Sequence, residues 1–386
     1  MVPRRAWGEE RPGIPFTNLT RQTTRWYYPA HLKAFRAGFD GSRILAKHDG
    51  ARGAKFGPGG NSSDDEIQAS DSDRQVRFTQ EFPLRPGEFA RTLVVQAPAK
   101  LNLFLEILGK RTDGYHELET LMVTVNLYDT LSFTEEDSEE IRLRMIDAGR
   151  RRPSDRSAAE TIPGGPDNLV VRAAFLLREF TGVKRGARIT LFKRIPAAAG
   201  LAGGSSDAAA TLVALNRLWQ LNLAPRDLHE LAQRLGSDVA FFVTGRSAAI
   251  CRGRGEIVEP VALPLGLHFV VARPRTGLST AEVYRRCQPG AIRKNAEGLV
   301  AALRSGQLKK AGRCFHNALE APARELNADI EQLRSCFERL PVIGHQMSGS
   351  GSAYFGLCTN RRTSRKAASR LRGARVGGVW EVQSRH

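Results

Sequence analysis

From Leu93 onward the chain carries clear periodicities. Leu101, Leu103 and Leu105 alternate with Asn102, Phe104 and Glu106, which predicts a β-strand. Period two then places Lys100 and Asn102 on one face, opposite the leucines. A helical pattern follows over 167–180, then a strand-like run through Ala187, Ile189 and Leu191. Ala208, Leu212, Leu215 and Trp219 recur at helical spacing, and Leu228, Leu231, Ala232 and Leu235 mark one side of a helix that Gly236 stops. Two short runs, 247–252 and 256–261, flank Gly253-Arg254-Gly255 as a hairpin. A second unit opens near Leu265 with a strand over 268–273. It continues through helical stretches around 279–287, 293–305, 307–318 and 325–339, strands over 341–347 and 353–357, a basic helix, and a last strand over 376–382. Strands divided by helices predict an α+β protein with one domain over 91–263 and another over 264–386.

Residues 1–90 have a different texture. They are rich in Arg, Gly, Pro, Ser and Asp without a sustained apolar period, which favours disorder. A transit peptide is opposed by Glu9, Glu10, Asp64, Asp65, Glu66, Asp71 and Asp73, and a start site placed too far upstream would produce the same texture. The 386 residues exceed one comfortable core. Hydrophobic content of 41% and charged content of 25% are ordinary for a globular protein, and neither a signal peptide nor a membrane span is expected. Cys251, Cys287, Cys314, Cys336 and Cys358 are scattered without metal-site spacing, so reduced thiols in a cytoplasmic protein are expected. The formal charge of +18 raises a nucleic-acid partner. Residues 361–386 hold eight Lys/Arg and one acid, however, with no aromatic-interleaved basic stripe. A basic surface equally suits a polyanionic small substrate.

The segment Pro196-Ala197-Ala198-Ala199-Gly200-Leu201-Ala202-Gly203-Gly204-Ser205-Ser206 is small-residue and glycine-rich, and it runs straight into a helical pattern. Such a backbone is unobstructed, so its N–H groups and the helix start can converge on an anion. The segment is neither a Walker A loop nor a dinucleotide-fold fingerprint. It reads as a phosphate cradle.

Three further patches carry chemistry. They are Ala97-Pro-Ala-Lys100-Leu-Asn102-Leu-Phe-Leu, leading to Asp113-Gly-Tyr115-His116-Glu-Leu; Leu235-Gly-Ser-Asp238-Val-Ala-Phe-Phe-Val; and Met347-Ser-Gly349-Ser-Gly351-Ser-Ala. With the glycine segment, and in this order, they resemble the GHMP kinases over about residues 92–385. Within that superfamily the Pro-Ala-Lys-Leu-Asn and Asp-Gly-Tyr-His segments resemble the branch that phosphorylates the 2-hydroxyl of a cytidyl-diphosphate-linked methylerythritol for isoprenoid precursors. The resemblance implies a two-domain fold, with an N-terminal domain like domain 2 of ribosomal protein S5 and a ferredoxin-like C-terminal domain. It implies ATP and Mg²⁺ as cofactors, a small-molecule partner rather than a nucleic acid or membrane, and a monomer or homodimer. A sister kinase acting on another alcohol, or a non-catalytic RNA-binding protein, are the alternatives.

The resemblance also implies roles. Phosphoryl transfer needs anchored phosphates, neutralised charge and an alcohol relieved of its proton. Asp238 would take that proton, and Lys100 would pair with it. Residues 196–206 would bind the triphosphate, with the Ser206 hydroxyl on Mg²⁺ and Asn168 at the adenine pocket. Asn102, Gly349 and Gly351 would contact substrate, while Tyr115, His116 and, opposite them, Tyr284 would hold the cytosine. Each residue has a plainer reading. Asp238 and Asn168 could cap helices, Ser206 could bond the backbone, and Lys100 could be a solvated edge lysine. Ala202 stands where the family shows glycine, which requires a negative φ at that position. Arg150 to Arg156, within the stretch 148–165, reads as a surface loop.

Overall fold

The computed structural model describes residues 92–147, 165–264, 266–290 and 292–385. The expectations for 1–90 and for the loop beginning at Ala148 lie outside the described residues, apart from Gly165.

Two long strands, β1 (Thr92–Lys110) and β2 (His116–Glu136), pair antiparallel and form the spine of the first sheet. Their register shifts between Pro98 and Ala99, Asn102 and Phe104, and Ile107 and Gly109. Such irregularities bend a strand and re-aim its side chains. The polar alternates of the leucine run are not solvated, because Asn102 and Glu106 are buried along with Phe104. The sheet order is β3 (Ile141–Asp147), β4 (Gly186–Lys193), β2, β1 and β8 (His316–Asn317). The hairpin of β5 (Ala248–Gly253) and β6 (Ile257–Pro260) joins on β2.

Four helices cover one side of that sheet. The first, α1 (Leu169–Thr181), starts where the Asn168 side chain accepts from Val170 N–H at 2.9 Å, and ends at Gly182 with φ 70°. It is followed by α2 (Gly203–Leu218), α3 (Pro225–Leu235) and α4 (Ser237–Val243), with Pro225 as the first residue of α3. Ala208, Leu212, Leu215 and Trp219 form the buried stripe of α2 and its C-cap. They meet Phe133, Ile189 and Leu191 of the sheet in one core.

The second sheet runs β11 (Gly378–Gln383), β7 (His268–Arg273), β10 (Tyr354–Cys358) and β9 (Gly344–Met347), with antiparallel neighbours throughout. Its two faces sort by alternation. Phe269, Val271, Phe355 and Leu357 share a core with Leu101, Leu103, Leu121 and Val123 of the first sheet. Val270, Ala272, Tyr354 and Cys358 instead face Val283 of α5 (Thr280–Arg286), Leu333 and Phe337 of α9 (Ala328–Glu338) and Leu371 of α10 (Arg361–Gly373). The change of sheet falls between Pro260 and His268, yet β8 from the later half returns to the first sheet.

The helical reading of 307–318 holds only in part. After α6 (Glu297–Arg304), α7 (Leu308–Arg313) stops early, and His316 and Asn317 pair in parallel with Phe104 and Leu105. The open edge of β1 takes that partner, and the Asn317 amide donates to the carbonyls of Met347 and Gly349 at 2.8 Å each. The expected helix over 325–339 is α9, which starts where the Asn327 side chain caps it; α8 (Glu320–Leu326) precedes it.

Candidate active site

Lys100 and Asn102 are buried in the middle of β1, 3% exposed each. The Lys100 ammonium donates to Asn102 Oδ1 at 2.5 Å and lies 3.6 Å from Asp238 Oδ2. Asp238 stands in the first turn of α4, with its side chain about one third exposed at 32%. Asn102 is fixed on three sides. Its amide donates to Thr120 Oγ1 at 2.9 Å, its backbone N–H to Ser348 Oγ at 3.2 Å, and its carbonyl accepts from Gln346 at 2.8 Å. Lys100 thus is no solvated edge lysine, and the α4 N-terminus receives no side-chain cap bond from its N-cap residue, Gly236.

The glycine segment joins this group through its backbone. Lys100 N–H donates to the Leu201 carbonyl at 3.1 Å, Ser348 Oγ to the Gly200 carbonyl at 3.0 Å, and Ala353 N–H to the Ala199 carbonyl at 3.0 Å. Close approach explains two glycines. A Cβ on Gly200 would lie 2.0 Å from the Ser348 carbonyl oxygen, and one on Gly349 would lie 3.0 Å from Asn102 Oδ1 and 3.2 Å from Lys100 Nζ. The α2 helix begins at Gly203 with no side-chain cap bond and no acidic residue in its first turn. Its leading N–H groups and dipole are therefore available to an anion.

One cavity of about 1070 Å³ brings the expected residues together. Lys100, Asn102, Asp238 and Gly349 line it, with Pro196, Ala197, Ala198, Ala199, Gly200, Ala202, Gly203, Gly204 and Ser205 of the loop. Asn168 also lines it while capping α1, so both readings of that residue hold. At the other end Tyr115 is 56% exposed, and the Arg254 guanidinium sits 4.8 Å from its ring centre. Tyr284 packs on His116, with ring centres 5.3 Å apart. Burial, with Lys110 nearby, holds the His116 imidazole below its ordinary value, and burial pushes the Tyr284 phenol up.

Four expectations need correction. Ala202 adopts φ 54°, not a negative angle; it takes the left-handed region that a glycine would occupy freely. Ser206 does not line the cavity. Its Oγ is sealed from solvent and has no hydrogen-bond partner among the described residues, whereas Ser205 lines the cavity. Leu201 is buried in the core and Gly351 packs on Met347 at φ 87°, so both shape the site without lining it. Tyr284, by contrast, lines the cavity with Tyr115 and His116 while packing on His116.

Sequence reading missed Lys193, Asp129 and Asp207. The Lys193 ammonium bonds both carboxylates beneath the glycine loop. Burial would push Lys193 down, but Asp207 and Asp129 outweigh it and hold it above its ordinary value, while burial, with Asp129 adding to it, pushes the Asp207 carboxyl up. An acid among alanines just after the two serines was the available signal. Arg254, in the hairpin turn, was also missed.

The cavity thus sets an uncapped helix start at one wall and a carboxylate–ammonium pair at another. Family models described as "GHMP kinases N terminal domain" and "GHMP kinases C terminal" match residues 168–246 and 299–376. The chain is 42% identical over 280 residues to a 4-diphosphocytidyl-2-C-methyl-D-erythritol kinase of Pelotomaculum thermopropionicum, covering 72% of this chain and 92% of that one. It is 39% identical over 279 residues to the enzyme of that name from Alkaliphilus metalliredigens, covering 72% and 91%. A crystal structure of 4-(cytidine 5'-diphospho)-2C-methyl-D-erythritol kinase superposes with a TM-score of 0.63 at 38% identity, covering 75% of this chain and 98% of that one. The chain belongs to the GHMP kinases and, within them, to the family of these relatives.

Proposed function

We propose that the protein transfers the γ-phosphoryl group of ATP to the 2-hydroxyl of 4-diphosphocytidyl-2-C-methyl-D-erythritol. One observation carries this reading: the Asp238 carboxylate lies 3.6 Å from the Lys100 ammonium in the same cavity that the glycine loop and the Tyr115–His116 pair line. Asp238 is open enough to meet an alcohol, and Lys100 is held by Asn102 and aimed at it. Asp238 accepts the hydroxyl proton as the alcohol oxygen forms its bond to the γ-phosphorus. The bond from that phosphorus to the bridging oxygen breaks, and ADP leaves with the electron pair. Lys100 steadies the charge on the transferring group.

Residues 91–263 carry the nucleotide loop and both reacting side chains, and 264–386 supply Gly349 and Tyr284. The N–H groups of residues 196–205 and the α2 start hold the phosphates, and Asn168 lies at the adenine end. Mg²⁺ arriving with the nucleotide would supply neutralisation of phosphate charge. Ser205, the cavity-facing hydroxyl, would hold it in place of the sealed Ser206. Tyr115 and His116 take the cytosine, with stacking worth roughly 1–3 kcal/mol per base.

ATP consumption against a panel of alcohols tests the reading. The cytidyl substrate is expected to be turned over, and preference for mevalonate or homoserine would reject the assignment. In Asp238→Asn, turnover is expected to fall by about 10²–10⁴ with ATP binding retained. A near-native rate in that variant would remove Asp238 from the chemistry.

A further inference from the structure

Under the glycine loop lies a charged group that the proposed chemistry does not use, although two of its members, Lys193 and Asp207, reach the cavity wall. Lys193 is the last residue of β4, Asp129 belongs to β2 and Asp207 to α2, and they are 7%, 0% and 2% exposed. The Lys193 ammonium donates to Asp129 Oδ2 and, at 2.8 Å, to Asp207 Oδ2. The other oxygen of Asp129 accepts from Arg194 and Ile195 N–H at 2.5 and 2.9 Å. Those N–H groups belong to the residues that lead out of β4 into the loop. Asp207 stands in the opening turns of α2, where the loop ends. One buried lysine therefore holds the chain where the loop begins and where it finishes. Gly203 leaves room for this, since a Cβ there would lie 2.7 Å from Lys193 Nζ.

Between the two anchors the backbone takes φ 48° at Ala198, 72° at Gly200 and 54° at Ala202. Two of the three are alanines, for which the left-handed region is unfavourable. The loop's curve is thus not what its own residues prefer, and something outside it must impose the shape. Two buried carboxylates and an ammonium are also an expensive way to fill a core, where apolar side chains of similar volume would serve as well. A group that fixes position accounts for both observations.

We propose that Asp129, Lys193 and Asp207 form a clasp that holds the nucleotide loop in its phosphate-binding curve before ATP arrives. Asp207 and Lys193 act through the loop backbone and are positioning residues. This rests on the reading of the loop as the ATP site. A loop already ordered loses less conformational freedom on binding, so the clasp favours nucleotide affinity and leaves the cytidyl end untouched.

The test uses the full chain with Asp207→Ala, and Asp207→Asn as the variant that keeps an acceptor oxygen for Lys193. ATP affinity is read by calorimetry, KM for each substrate by turnover, and loop order by hydrogen exchange of amides 197–205 in ligand-free protein. Asp207→Ala is expected to weaken ATP binding about tenfold, as loss of a charge-assisted hydrogen bond would. Its KM for the cytidyl substrate should stay within about twofold of the parent, which separates loop positioning from general damage. Loop amides should exchange faster in Asp207→Ala, and Asp207→Asn should restore both readings most of the way. Where the alanine variant does not fold, Asp207→Leu fills the space and is read the same way. Unchanged ATP affinity, a joint rise in both KM values, or a folded Asp207→Asn that behaves like Asp207→Ala would each overturn the clasp. A parent protein that does not bind ATP would instead overturn the reading of the loop.

Discussion

Ala202 sits at φ 54° and ψ 34°, immediately before the helix that the glycine segment feeds. A side chain in that region is disfavoured by about 1–2 kcal/mol, and glycine gives part of that back through its greater freedom in the unfolded chain. Ala202→Gly is therefore expected to raise stability by up to about 1 kcal/mol, read as a melting-temperature rise of about 1–3 °C. A fall in melting temperature would mean that the Ala202 methyl contributes more by packing than its backbone angle costs. The family resemblance identified Ala202 as the departure from glycine, but only the structure gives the sign of its φ. The two serines teach the same point. Ser205 and Ser206 are chemically identical, and only the helix phase decides that the first faces the cavity and the second is sealed.

The glycine loop and the Gly-Ser-Gly-Ser turn contact each other closely at the scale of elements. Ser348 bonds the Gly200 carbonyl, and a Cβ on Gly200 would lie 2.0 Å from the Ser348 carbonyl oxygen at a φ of 72°. Gly200→Ala is expected to destabilise the fold by about 2–5 kcal/mol, combining overpacking with a left-handed alanine. Denaturant unfolding measures this, and a loss under about 1 kcal/mol would show that the turn yields easily. Helix α2 and the strand before the loop were legible because apolar residues recur at 3.6 and 2. Strand β8 was not, since His316 and Asn317 are too few for a period, and only the open edge of β1 makes them a strand.

Over the whole molecule, the formal charge is +18, and the proposed substrates are both polyanions. Long-range attraction should raise encounter rates and weaken with salt. Between about 0.01 and 0.15 M ionic strength, where the screening length shrinks from about 30 to 8 Å, kcat/KM for ATP is expected to fall severalfold with kcat nearly unchanged. A salt-independent kcat/KM would show that the basic residues lie where the cavity does not feel them. Among the described residues no helix is long and apolar enough to cross a membrane. Most helices, the strand before the loop and the small-residue character of the loop were determined by the sequence itself, because periodicity and residue size are local properties, while Lys100, Asp238, Tyr115 and His116 were singled out by the resemblance of their segments to the GHMP kinases. Their convergence on one cavity, the stacking of Tyr284 on His116, the φ of Ala202 and the burial of Lys193 between two aspartates were decided only by the tertiary structure. Each of these depends on which distant segments the shared core of the two sheets brings into contact.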